Sequence, residues 1–204
     1  MSMLLDIRGT ALPLPIENLD TDQIMPKQFL RVIDKAGLAQ GLLYDLRFDA
    51  SGQPIAGSVM NDARHRGASI LIGGANFGCG SSREHAVWGL QQYGFSAVIA
   101  PSFAEIFYSN AMNNRLLLVQ LARADVEQLM RDSQRDPSAT LRIDIERQAV
   151  ESADGRAYGF PLGERYKRMV IEGLDTIGMT LASLDDIQAF ERTHQSRRPW
   201  AIVG

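Results

Sequence analysis

Residues 4–16 are largely apolar and carry Pro13 and Pro15, which predicts a short strand leading into an extended loop. Asn18-Leu19-Asp20-Thr21-Asp22 follows as a polar turn whose side chains can bond their own backbone. Residues 27–66 hold many Gly, Asp and Arg with weak periodicity and read as short helices and loops. The middle of the chain is sharper. Ser69-Ile70-Leu71-Ile72 ends in Gly73-Gly74, as a buried strand does, and a Gly-rich turn leads to a helix over about 82–92 that stops at Gly94. Ala97 to Ala100 is a second buried strand, ended by Pro101. Ser102 and Glu105 have the spacing of a capping box, and Phe103, Ile106, Phe107 and Ala111 fall on one helical face. Leu116 to Leu121 is a third strand. Strand, helix, strand, helix, strand implies a parallel sheet joined by crossover helices.

Beyond residue 122 the pattern changes. A helix is predicted over 124–134, closed by Asp136-Pro137. Leu141, Ile143 and Ile145 alternate with Arg142, Asp144 and Glu146, as in a half-exposed strand that Gln148 to Glu151 can pair with, and Asp154-Gly155 marks another turn. Residues 164–172 read as a helix with Tyr166, Met169 and Val170 inward. Ser183, with Asp186 three positions on, starts a last helix carrying Leu184, Ile187 and Phe190. No repeat, biased tract or long linker interrupts the chain, so the expectation is one α/β domain spanning 1–204.

Composition narrows the function classes. The net charge of −3 lacks the basic surplus that displaces phosphate counterions, which argues against nucleic acid. No apolar run approaches the roughly 18 residues that cross a bilayer, and the start lacks the basic and apolar regions of a secretory signal. The single Cys cannot form an internal disulfide, which fits a reducing cytoplasm, nor hold an iron–sulfur cluster unaided.

The candidate chemistry sits in Gly73-Gly74-Ala75-Asn76-Phe77-Gly78-Cys79-Gly80-Ser81-Ser82-Arg83-Glu84-His85-Ala86, at the carboxyl end of a parallel strand, where open α/β sheets bind ligands. Free N–H groups of a helix's first turn attract an anion, and Arg83 adds a planar fork for a carboxylate. Rival motifs fail on their letters. Gly78 is followed by Cys79 rather than the Lys of a P-loop, Arg83 replaces the third small residue of a dinucleotide turn, and Ser82 lies between Gly80 and Glu84 rather than two glycines. By default Ser81 or Ser82 is an N-cap, Glu84 complements the helix dipole, His85 packs, Cys79 is a small buried hydrophobe, Asp20 and Asp22 are turn residues, and Lys27, Arg31 and Arg197-Arg198 are solvated. The residues alone support an anion site at a strand–helix turn.

Four ordered blocks carry a resemblance further: Asn18 to Leu30, Gly74 to Ala86, Ala100 to Phe107 and Leu174 to Leu181. The chain closely resembles the small subunits of 3-isopropylmalate dehydratase, in the aconitase superfamily. The resemblance implies a swivelling β/α layered domain with a partly parallel sheet and a C-terminal helical extension. It implies a partner, a large subunit that bears a [4Fe–4S] cluster on its own cysteines, and a small-molecule substrate. The implied reaction interconverts 2- and 3-isopropylmalate through 2-isopropylmaleate, in leucine biosynthesis. Position by position, Ser81 matches a catalytic serine acting as an alkoxide base, Ser82 and Arg83 match residues holding a substrate carboxylate, and Asp22 matches an acidic active-site residue. Lys27 and Arg31 lie in the stretch that recognises substrate. No metal or cofactor is expected on this chain. Val87 stands where many relatives have Pro, and Arg115 where Gly is common, which predicts a different turn there.

Three other readings compete. A related hydro-lyase acting on citraconate, maleate or homoaconitate would share the Gly-Ser-Ser-Arg core and differ mainly in the loop after Pro26, where Phe29, Leu30 and Val32 offer apolar room that favours the branched isopropylmalate instead. A stand-alone anion-binding module would need no partner and no Ser81. A cysteine hydrolase would place Cys79 at a helix N-terminus beside His85.

Overall fold

The computed structural model describes residues 4–30 and 37–201. Strand β1 (Asp6–Leu14) runs into three short helices, α1 (Thr21–Ile24), α2 (Leu38–Gly41) and α3 (Tyr44–Arg47). Then come β2 (Ile70–Gly73), α4 (Glu84–Tyr93), β3 (Ala97–Ala100), α5 (Glu105–Asn113) and β4 (Leu117–Gln120). Helix α6 (Arg123–Arg135) leads to β5 (Thr140–Asp144), β6 (Ala149–Glu151) and β7 (Ala157–Gly159). Helices α7 (Glu164–Glu172), α8 (Thr176–Leu181) and α9 (Leu184–Arg197) follow.

The strands form one seven-stranded sheet in the order β4-β3-β2-β1-β5-β6-β7. The all-apolar runs of β2, β3 and most of β4 are buried on both faces, as parallel strands covered by helices should be. Strand β1 is the hinge between two kinds of pairing. Its second half, Ala11 to Leu14, pairs in parallel with β2, and its first half, Asp6 to Thr10, pairs antiparallel with β5. Pro13 falls past the stretch paired with β5, where a missing N–H costs no bond on that side.

Several expectations change on contact with the structure. Asp144, expected to point to solvent, is 6% exposed. It is stabilised there by Arg142 Nη2 at 3.1 Å and by accepting the Arg147 N–H at 2.8 Å. Ser102 is not a helix cap. Helix α5 starts at Glu105, with Ala104 at the N-cap, and Ile106 in its first turn is exposed while Phe107 and Ala111 go inward. Ser183 does occupy the N-cap of α9, but its side chain makes no capping bond. Leu184 and Phe190 stay exposed, as do Ile177 on α8 and Trp200, because nothing among the described residues covers that face. Arg115 takes the left-handed conformation that favours glycine, at φ 63°, and its Nη1 donates to Gly173 O at 2.9 Å.

Candidate functional site

Past the carboxyl ends of β1, β2 and β3, the Gly-rich turn is laced between two neighbouring segments. On one side Asn18 N–H donates to Ala75 O (2.9 Å), Gly78 N–H to Leu19 O (2.8 Å) and Thr21 N–H to Cys79 O (2.8 Å). On the other, Phe77 N–H donates to Ser102 O and Ala104 N–H to Phe77 O, both at 3.0 Å. Ser102 Oγ accepts from Asn76 N–H at 2.8 Å, which is the job this hydroxyl has in place of capping. The turn is thereby held as the middle of a small ladder, with the N–H groups of Asn76, Phe77 and Gly78 all bonded although it lacks regular structure. Glycines make the close approach possible. A Cβ on Gly74 would lie 2.3 Å from Ile16 O, and Gly78 has φ 78° with the Phe107 ring against it.

Two arms then bring the candidate side chains together. Asp20 caps α1: its Oδ1 accepts the Gln23 N–H at 2.7 Å while Gln23 Oε1 accepts the Asp20 N–H at 3.1 Å. That capping box fixes Thr21 inward, where it is buried, and Asp22 outward. Asp22 Oδ1 meets Arg83 Nη1 at 2.6 Å, and Lys27 Nζ lies 4.0 Å from Asp22 Oδ2. Arg83 Nη1 also donates to Met25 O at 3.4 Å, and the Arg83 side chain is only 17% exposed. Ser81 and Ser82 are exposed beside this pair. Ser81 is held by Thr21, whose Oγ1 contacts its N–H, carbonyl and hydroxyl. Ser82 has no hydrogen-bond partner among the described residues and is free to meet a ligand.

Neither serine is the cap of α4. That place is taken by Arg83, whose carbonyl accepts the Ala86 N–H at 3.2 Å, and no side chain caps the helix, so the N–H groups of Glu84 and His85 remain available to an anion. Glu84 accepts from Asn114 Nδ2 at 2.6 Å, and Trp88 Nε1 donates to Asn114 Oδ1 at 2.9 Å, which pins α4 to the end of α5. His85 packs its ring on Trp88, with centroids 4.8 Å apart. Cys79 Sγ donates to Asn18 O at 3.2 Å, and the helix does not start until Glu84. The geometry for a cysteine nucleophile at a helix N-terminus with His85 as its base is therefore missing. Arg31 lies outside the described residues.

The arrangement thus gathers Asp22, Lys27, Ser81, Ser82 and Arg83, and it adds Thr21 and Asn114. Nothing in the local sequence singles out these last two, because their meaning lies in partners far along the chain. Chemically the site offers two cations, one carboxylate, two exposed hydroxyls and an uncapped helix start, all suited to a substrate bearing carboxylates. No group of three or more His, Cys, Asp or Glu that could hold a metal ion occurs among the described residues.

Comparisons with known proteins identify the family of the chain. The aconitase C-terminal domain family matches residues 1–124, which takes in both arms of the site. The family described as the C-terminal domain of the 3-isopropylmalate dehydratase small subunit matches residues 176–201. The chain is 59% identical over 194 residues to 3-isopropylmalate dehydratase small subunit 1 of Chromobacterium violaceum, covering 95% of this chain and 91% of that one. It is 42% identical over 200 residues to the 3-isopropylmalate dehydratase small subunit of Roseobacter denitrificans, covering 98% and 100%. The crystal structure of 3-isopropylmalate dehydratase from Methanocaldococcus jannaschii superposes with a TM-score of 0.64 at 26% identity, over 91% of this chain and 99% of that one. With matches at both ends and identity along nearly its whole length, the chain belongs to the family of 3-isopropylmalate dehydratase small subunits.

Proposed function

We propose that this chain is one half of a hydro-lyase that interconverts 2- and 3-isopropylmalate through 2-isopropylmaleate, in cytoplasmic leucine biosynthesis. The other half is a large subunit that bears a [4Fe–4S] cluster. We read residues 1–204 as a single swivel-type domain with a C-terminal helical extension. The observation that carries the proposal is the convergence of Asp22, Ser81, Ser82 and Arg83, from segments far apart in sequence, around an uncapped helix start. The family relationship supports it.

The cluster does not fit this chain, since the only cysteine is Cys79 and its thiol is bonded to a main-chain carbonyl. When bound by the large subunit, it supplies a Lewis acid for the substrate hydroxyl. This chain supplies the opposite side. Ser81 Oγ, as an alkoxide, takes the proton from the carbon next to a carboxylate, and the cations and helix N–H groups favour that anion. Arg83 has one nitrogen engaged by Asp22, while Nη2 and Nε have no partner among the described residues. Those two donors form a fork for a substrate carboxylate, with Ser82 beside it. Asp22 holds the fork in place. Lys27 is a second cation at the rim, and Arg31 belongs to the segment that recognises the substrate side chain.

The test is co-expression with the cognate large subunit and anaerobic assay of alkene hydration, with 2-isopropylmaleate against citraconate. Consumption of isopropylmaleate by the complex, and none by the isolated chain, is the expected result. A preference for citraconate would move the chain to a related hydro-lyase. Consumption of neither alkene, or activity of this chain alone, overturns the proposal. In the same complex Arg83→Lys should raise KM about tenfold or more with a smaller effect on kcat, because a point charge cannot replace a bidentate fork. An unchanged KM would remove Arg83 from the carboxylate site.

A further inference from the structure

Thr21 is 1% exposed, and its Oγ1 lies within bonding distance of three atoms of a single residue. It accepts from Ser81 N–H at 3.1 Å, donates to Ser81 O at 3.0 Å and sits 3.2 Å from Ser81 Oγ. A threonine hydroxyl carries one proton. While that proton is on the Ser81 carbonyl, the Ser81 hydroxyl must be the donor in the Oγ–Oγ1 contact, so its own proton points inward at Thr21. Once Ser81 Oγ is an anion, it and the carbonyl compete for the single Thr21 proton. The anion wins, because charge-assisted hydrogen bonds are roughly twice as strong as neutral ones. The change needs only rotation about the Thr21 C–O bond, with no heavy atom moving.

Thr21 is well placed for this. Its N–H is bonded to Cys79 O at 2.8 Å, the Asp20–Gln23 capping box fixes the turn before it, and a Cβ on Gly80 would come within 3.4 Å of its hydroxyl. We propose that Thr21 is the positioning residue of Ser81, a hydroxyl rotor that holds neutral Ser81 by its carbonyl and turns its proton onto Ser81 Oγ when that oxygen is an alkoxide. The inference rests on the reading of Ser81 as the base. In the reaction the alkoxide takes the substrate's C–H proton, and the C–H electron pair passes into the alkene as the hydroxyl group departs. Ser81 is then neutral and the Thr21 proton returns to the carbonyl; rehydration of the alkene hands the Ser81 proton back to carbon and regenerates the alkoxide.

The experiment compares Thr21→Val, Thr21→Ser and Ser81→Ala in the complex with the large subunit, measuring kcat, KM and the pH profile of kcat, with thermal unfolding of each small subunit. Thr21→Val removes the rotor at nearly constant volume. It should lower kcat about 10- to 100-fold with KM little changed, and move the alkaline rise of activity to higher pH by about 1–2 units. Thr21→Ser keeps the hydroxyl and should restore both. A Thr21→Val enzyme with the wild-type pH profile overturns the proposal, whatever its kcat, because a purely structural role would leave that profile in place. Failure of Thr21→Ser to restore the profile overturns it too. If Thr21→Val does not fold, Thr21→Cys, a far weaker donor of similar size, is measured in its place against the same outcomes. A Ser81→Ala enzyme of normal kcat defeats the underlying reading instead, which keeps the two failures apart.

Discussion

Replacing Ser81 with alanine is expected to lower kcat of the assembled enzyme by about 10²- to 10⁴-fold, the usual worth of a positioned proton-transfer group. KM and the stability of the chain should stay close to wild type. The structure explains why the two effects separate. The Ser81 side chain is exposed, so truncation leaves no cavity. The bonds that hold the turn run from Thr21 Oγ1 to the Ser81 main chain, at 3.1 Å from N–H and 3.0 Å to the carbonyl, and alanine keeps both. What is lost is one hydroxyl and its contact with Thr21, a change of about 1 kcal/mol or less in folding. The Arg83 fork and its Asp22 support are untouched, so ground-state binding persists. Steady-state kinetics run beside thermal unfolding check the separation. A raised KM at constant kcat would make Ser81 a ligand for the substrate rather than its base.

The parallel half of the sheet was legible because its strands are short, wholly apolar and fenced by Gly and Pro. The length of β1 was not. Arg8, Gly9 and Thr10 interrupt its apolar run, and they belong to the strand because β5 arrives from residue 140 onward to pair with them. Strand β7, Ala157–Gly159, has no pattern long enough to read and exists through its pairing with β6. The last helix shows the opposite failure. Leu184, Ile187 and Phe190 have helical spacing and do form a helix, but spacing does not say what will cover an apolar face.

The site divides along the same line. A strand, a run of glycines and a helix start are local, so the candidate turn could be found from the letters, and the family resemblance then pointed to Ser81, Ser82 and Arg83 within it. The Ser102–Glu105 spacing is local too, yet it misleads, because Asn76 and Phe77 claim the Ser102 hydroxyl and carbonyl and the helix begins later. The Asp22–Arg83 pair and the Thr21–Ser81 bonds join segments about sixty residues apart. Thr21 in particular looks like one more polar turn residue between two aspartates. Only burial under the Gly-rich turn makes it the support of Ser81.

The same packing makes Gly78 a vulnerable point of the turn in folding terms. Gly78→Ala is expected to destabilise the isolated chain by about 2–5 kcal/mol, lowering its unfolding temperature by about 5–15 °C. Two costs add. The backbone at φ 78° is left-handed, which costs a residue with a Cβ about 1–2 kcal/mol. The new Cβ would also stand 2.2 Å from Phe107 Cγ and 2.6 Å from Cδ2, far inside contact distance. Phe107 has little room to retreat, being 2% exposed with its ring edge-on to Phe77 at 5.4 Å, so overpacking adds about 1–3 kcal/mol. Gly57→Ala separates the two costs, because Gly57 has a similar φ of 81° with nothing within 4 Å of the added methyl. Its loss should be near 1 kcal/mol, the backbone cost alone. Equal losses at the two sites would mean that Phe107 yields to the methyl. If so, the turn is soft where the bonds of Phe77 and Gly78 appoint it rigid, and the fixed placing of Ser81 over Thr21 would have to come from the Asp20 capping box instead.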